Sequence, residues 1–185
     1  AAYVYYGKKC IELFEGMWAF SIYDKDKNEI FLSRDPFGEK PLFYYIDHSS
    51  FVFSSETKAL FKMLDFSPVV NQSYINNFLG NGFRWLFKNN NIPFKDIKAL
   101  SSGECLTINS NFNIDIKKYW TPKIINKKMS KNDAIEGIKY HLNKSLKIRL
   151  RSDVPLAFCL SGGIDSGSLV SLAKNDMISK LDTFS

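Results

Sequence analysis

The apolar run Val154-Pro155-Leu156-Ala157-Phe158-Cys159-Leu160 passes directly into Ser161-Gly162-Gly163-Ile164-Asp165-Ser166 and then into a helical stretch from Gly167 to Lys174. A nearly unbroken apolar segment bounded by a glycine turn reads as a buried, parallel-type strand. Leu181-Asp182-Thr183-Phe184-Ser185 has the character of a further strand. Strand, glycine loop, helix and strand in immediate succession are the opening of an α/β domain.

The loop also carries a chemical signal. Glycines let backbone approach an anion closely and expose successive N–H groups. Ser161 and Ser166 add hydroxyls. The following helix turns free amides and the positive end of its dipole toward the same point. Such a place suits a pyrophosphate. Asp165 is costly beside phosphate unless Mg²⁺ bridges the two or the carboxylate does structural work. A Gly-Gly turn between strand and helix is usually only a turn, so the weight rests on the whole combination. No G-x-x-x-x-G-K-[ST] run is present, so this is not a Walker A loop.

Upstream, Ser130-Lys131-Asn132-Asp133 resembles a capping box. Ile135, Ile138, Leu142 and Leu146 then recur at helical spacing with lysines between them, up to about Ser152, since Pro155 cannot continue a helix. The polar, Pro-marked stretch from Thr121 to Lys128 is the best linker candidate. It divides the chain into 1–122 and 123–185. The first part has 14 basic against 13 acidic residues, the second 11 against 6, so the net +6 is concentrated behind the linker. A basic segment suits an anionic partner such as a nucleotide. Only four of the 25 cations are arginine, thin equipment for reading bases, and nucleic-acid binding is not expected.

The front part reads as antiparallel β-structure with short helices, an α+β pattern. Strands are expected at Met17–Tyr23, Glu29–Ser33, Leu42–Ile46 and Phe51–Phe53. Tight turns between them suggest one meander. Helices follow near Ser55–Leu60, with Ser54 or Ser55 able to cap its first turn, and near Gln72–Leu79, with Asn71 as N-cap. A strand pair at Cys105–Asn109 and Asn113–Trp120 closes the part. Arg34 and Asp35 are placed to pair across the Asp-Pro-Phe-Gly turn. His141 is read as surface or interdomain.

Cys10, Cys105 and Cys159 are widely spaced and only His48 and His141 accompany them. That pattern offers neither a zinc site nor a disulfide framework, and no metal ligand or catalytic residue is assigned. Cys10 is read as part of a polar stretch and Cys159 as strand packing. No apolar run approaches the roughly 20 residues of a bilayer span. Reduced thiols and the absence of such a span suggest a cytoplasmic protein with no membrane partner.

Residues 160–166 resemble the pyrophosphatase-type loop of ATP-using amide ligases. Arg149-Leu150-Arg151-Ser152-Asp153-Val154-Pro155 resembles the run before that loop in glutamine-hydrolysing asparagine synthetases. Phe14-Glu15-Gly16-Met17-Trp18-Ala19-Phe20, Arg34-Asp35-Pro36-Phe37-Gly38-Glu39-Lys40-Pro41-Leu42-Phe43-Tyr44 and Ser55-Glu56-Thr57-Lys58-Ala59-Leu60 resemble the latter half of the same family's class II glutaminase domain. Ile97 to Leu106 resembles its closing strands, with Ser-Ser-Gly where the family usually shows Pro-Pro-Gly.

The resemblance implies an Ntn-hydrolase-like portion at 1–122 and the beginning of a Rossmann-like ATP-pyrophosphatase domain at 123–185. It implies ATP and Mg²⁺, with Leu160, Ser161, Gly162, Gly163, Asp165 and Ser166 as ATP/pyrophosphate contacts. The substrates would be glutamine, ATP and aspartate or another acceptor, and a homodimer would be compatible with the family. The family's N-terminal cysteine nucleophile and most of its synthetase domain have no counterpart here. The chain is therefore expected to be an internal fragment, inactive alone. Alternatives are a related amidotransferase with a sugar or lactam-forming acceptor, and a non-catalytic nucleotide-binding or assembly module.

Overall fold

The computed structural model describes residues 1–65, 67–82, 92–124, 128–176 and 182–185. Linker residues 125–127 and Leu181 lie outside them. The chain divides into two compact units, Ala1–Lys123 and Ile124–Ser185.

The front unit opens with helix α1 (Ala2–Tyr6) and a 3-10 helix (Gly7–Leu13). Strands β1 (Ala19–Asp24) and β2 (Glu29–Arg34) form a hairpin in which Asn28 takes the left-handed φ of 49° that the turn needs. Strands β3 (Phe43–Ile46) and β4 (Phe51–Ser54) form a second hairpin, followed by α2 (Thr57–Leu64) and α3 (Gln72–Asn81). Asn71 caps α3, its side chain accepting from the Tyr74 amide at 3.2 Å. Strands β5 (Lys98–Ala99), β6 (Glu104–Asn109) and β7 (Ile114–Lys118) complete the unit.

The two hairpins do not form one meander. They belong to separate sheets, β1-β2-β6-β7 and β4-β3-β5, all of whose pairings are antiparallel. The cause lies in the turn between them. Arg34 and Asp35 do not form an ion pair; each grips backbone. The guanidinium donates to the carbonyls of Gly38 (2.6 Å), Lys40 (2.7 Å) and Leu100 (2.7 Å). The carboxylate accepts from the amides of Phe37, Glu39 and Lys40, each at 3.0 Å. The chain leaving β2 is thereby turned toward β5 and away from β2's own edge, which β6 occupies.

Side-chain alternation makes the four-stranded sheet a middle layer. Leu32, Leu106 and Ile108 meet Leu42, Tyr44 and Leu100 in one core. Phe31 and Cys105 meet Cys10 and Ile11 of the 3-10 helix in another. Phe31, Leu32 and Ser33 are consequently all buried in succession. Cys10, expected in a polar stretch, is wholly buried, and burial pushes its thiol pKa up. A raised thiol pKa means little thiolate and no nucleophile there.

The rear unit holds helix α4 (Lys131–Arg149), strand β8 (Ala157–Cys159), helix α5 (Ile164–Asp176) and strand β9 (Asp182–Phe184). Ser130 caps α4: its hydroxyl oxygen accepts from the Asp133 amide at 3.1 Å. Of the apolar stripe on α4, only Leu146 is buried; Ile138 is 61% exposed. His141 is exposed. Strands β8 and β9 pair in parallel, Phe158 opposite Thr183. The expected buried strand is open: Ala157 and Cys159 are exposed and Phe158 half-buried. Its sheet has only two strands among the described residues, so its apolar side chains find few neighbours.

Candidate functional site

The loop between β8 and α5 is built from the strand end outward. The Leu160 amide donates to the Phe184 carbonyl at 2.6 Å, extending the parallel ladder by one residue. Leu160 therefore anchors the loop and offers no free N–H. Gly162 has φ of 75°, the left-handed region that glycine enters without strain. No atom lies within 4 Å of where its Cβ would stand. Gly163 has ordinary backbone, and a Cβ there would meet only the Ser161 hydroxyl at 3.5 Å. The two glycines are thus not equivalent.

Helix α5 begins at Ile164, three residues earlier than the pattern from Gly167 suggests. The Gly167 amide donates to the Gly163 carbonyl at 3.0 Å, the first bond of the helix. The amides of Ile164, Asp165 and Ser166 precede it and lack intrahelical acceptors. They share the helix end with the positive pole of the dipole. The hydroxyls of Ser161 and Ser166 stand 3.0 Å apart, and Ser166 Oγ also donates to the Gly163 carbonyl at 3.2 Å. Ser161 to Asp165 are exposed. The expected contact residues are thus brought together in one curve, Leu160 excepted as a donor. A tetrahedral anion entering it would meet amides, two hydroxyls and a helix pole.

Asp165 lies in the first turn of α5. Among the described residues no group of three His, Cys, Asp or Glu side chains could hold a metal ion. Arg149 donates to Ser145 Oγ at 2.8 Å along its own helix.

Sequence reasoning missed the Arg34–Asp35 grip as a device. Asp35 is fully buried. Burial pushes its carboxyl up, but hydrogen bonds from the Lys40, Glu39 and Phe37 amides outweigh this and hold it below the ordinary range. The available signal was Arg-Asp before Pro-x-Gly: a short acceptor followed by a turn that must present amides.

Among the described residues no helix is long and apolar enough to cross a membrane. A glutamine amidotransferase domain model matches residues 1–120, and an asparagine synthase model matches residues 137–185. A protein of Methanocaldococcus jannaschii assigned as a glutamine-hydrolysing asparagine synthetase is 36% identical over 97% of this chain and 35% of its own length. Asparagine synthetase (glutamine-hydrolysing) 3 of Bacillus subtilis is 29% identical over 93% of this chain and 28% of its own. The chain thus spans about a third of the curated relatives it matches. A solved structure of B. subtilis glutamine phosphoribosylpyrophosphate amidotransferase aligns with a TM-score of 0.41 and 16% identity, over 96% of this chain and 34% of that one.

Proposed function

Because this chain belongs to the glutamine amidotransferase domain family and continues into an asparagine synthase segment, we propose that it is part of an ATP-dependent, glutamine-hydrolysing amide ligase of the cytoplasm. The reaction is aspartate, glutamine, ATP and water giving asparagine, glutamate, AMP and pyrophosphate. Residues 1–122 form the latter half of an Ntn-hydrolase-like glutaminase domain. Residues 123–185 open a Rossmann-like ATP-pyrophosphatase domain.

The observation that carries the reading is the order of the two matches along one chain, with the anion-suited loop lying inside the second. The aspartate side-chain carboxylate attacks the α-phosphorus, and the bond to the bridging oxygen breaks. Pyrophosphate leaves into the curve of Ser161, Gly162, Gly163, Asp165 and Ser166. Ammonia from glutamine then attacks the acyl carbon and AMP departs. Gly162 provides the bend, the first-turn amides and the two hydroxyls hold the leaving group, and Leu160 fixes the loop to β9. Mg²⁺ would be held here by the single carboxylate of Asp165 together with substrate phosphate oxygens and several retained waters, the usual arrangement for this ion. When bound, it neutralises charge on the phosphates.

The test uses the native polypeptide that carries these residues. Glutamine labelled at the amide nitrogen should transfer label to asparagine, and aspartate should be required for exchange of radiolabelled pyrophosphate into ATP. Exchange without aspartate, or label transfer without ATP, would sink the reading.

A further inference from the structure

A cavity of about 640 Å³ opens in the front unit where the 3-10 helix ends, the Asp35-Pro36 turn bends and β7 runs out. Its size is within the roughly 300–1,000 Å³ of small-molecule sites. It shares no residue with the loop at 160–166. Three aromatic side chains, Phe14, Tyr119 and Trp120, stand in its wall.

Each of the three is fixed by contacts away from the cavity. Phe14 meets Trp18 edge-on at 5.6 Å and 89°, and Phe20 at 5.9 Å and 63°. The Tyr119 hydroxyl donates to the Arg34 carbonyl at 2.7 Å. Trp120 packs on Phe37 at 5.1 Å, and its amide donates to the Gly103 carbonyl at 3.3 Å. A ligand would therefore meet walls whose ordering is already complete, which is what makes a site bind rather than merely enclose space.

The cavity is also lined by Glu12, Glu15 and Lys123. None of them takes part in the ion pairs formed among the described residues. Two carboxylates disfavour a simple anion, and the lysine disfavours a simple cation. A zwitterion satisfies both signs. Aromatic walls favour a ring in offset or edge-on contact.

We infer that this cavity binds a free aromatic α-amino acid. The ammonium lies toward Glu12 and Glu15, the carboxylate toward Lys123, and the ring against Phe14, Tyr119 and Trp120. The inference does not depend on the ligase reading.

Calorimetric titration of the full polypeptide with L-phenylalanine, N-acetyl-L-phenylalanine and phenethylamine tests it. L-phenylalanine should bind, and each control, lacking one charge, should bind at least about tenfold more weakly, on the order of 1.4 kcal/mol. Lys123→Met should erase the preference over phenethylamine and leave that over the acetylated compound. Glu12→Gln with Glu15→Gln should do the reverse. Such a crossover cannot come from misfolding, which weakens all three compounds together. No saturable binding of L-phenylalanine, equal affinities for the three, or variants that lose both preferences together would overturn the inference.

Discussion

Replacing Asp35 by alanine removes the acceptor of three backbone amides at once, those of Phe37, Glu39 and Lys40. An orphaned donor costs about 1–3 kcal/mol. Glu39 and Lys40 are exposed and Phe37 is 65% exposed, so water can reach part of this turn. The low end applies, and the expected loss is about 3 kcal/mol. Asparagine keeps the oxygen that serves Phe37 and Glu39 but sets an NH₂ against the Lys40 amide, for a loss of about 1–2 kcal/mol. Urea unfolding of the chain followed by tryptophan fluorescence measures both, as a shift in midpoint at unchanged slope. The carboxyl pKa lies below its ordinary value in the folded chain. Its stabilisation is therefore present above the unfolded pKa of about 3.9 and is lost as pH falls through the lower folded value. The gap between wild type and Asp35→Asn should stay constant above about pH 5 and narrow below about pH 4. An alanine variant within about 1 kcal/mol of wild type, or a gap that widens in acid, would refute the grip.

Three other outcomes are expected. Gly103 has φ of 63°, and a Cβ there would stand 2.8 Å from the Trp120 carbonyl oxygen. Left-handed strain of about 1–2 kcal/mol plus overpacking of about 1–3 kcal/mol should make Gly103→Ala cost about 2–5 kcal/mol in the same urea titration. In the loop, Gly162→Ala should weaken pyrophosphate binding by about tenfold in a calorimetric titration, because it carries about 1–2 kcal/mol of backbone strain, whereas Gly163→Ala should change it little. Asp165→Asn should strengthen pyrophosphate binding without Mg²⁺ and weaken it with Mg²⁺, since one carboxylate repels the anion and ligates the ion; the same direction in both buffers would contradict the assigned role.

Local patterns in the front unit were legible because they rest on short-range chemistry. Asn71 reads as an N-cap and caps α3. Aromatic and branched runs read as strands, and β1 to β4 form within a residue or two of where the residue types place them. Pairing was not legible in the same way. Four strands with tight turns satisfy a meander as well as two hairpins, and the choice depends on Arg34 reaching the Leu100 carbonyl, a contact spanning 66 positions. Cys10 illustrates the same limit. Its neighbours Lys8, Lys9 and Glu12 are polar, yet the 3-10 helix turns Cys10 and Ile11 onto Phe31, turns Lys9 and Glu12 toward water, and brings half-buried Lys8 onto Glu29 at 2.9 Å.

In the loop at 160–166, residue types suggested an anion site, but the conformation decides what each residue can give. Two adjacent glycines look alike in sequence. One has φ of 75° and the other leaves ordinary room for a methyl group. Leu160 looks like the first donor, yet its amide belongs to the Phe184 carbonyl. An early helix start moves Asp165 from loop to first turn. There its carboxylate gains from the helix dipole in the free chain and opposes an incoming phosphate at the same pole. The tension has a simple physical resolution: a divalent ion arriving with the phosphate turns the opposition into shared ligation. The acid that opposes a bare anion is thus the residue that would make the proposed site selective for a metal-bearing polyphosphate over a bare one.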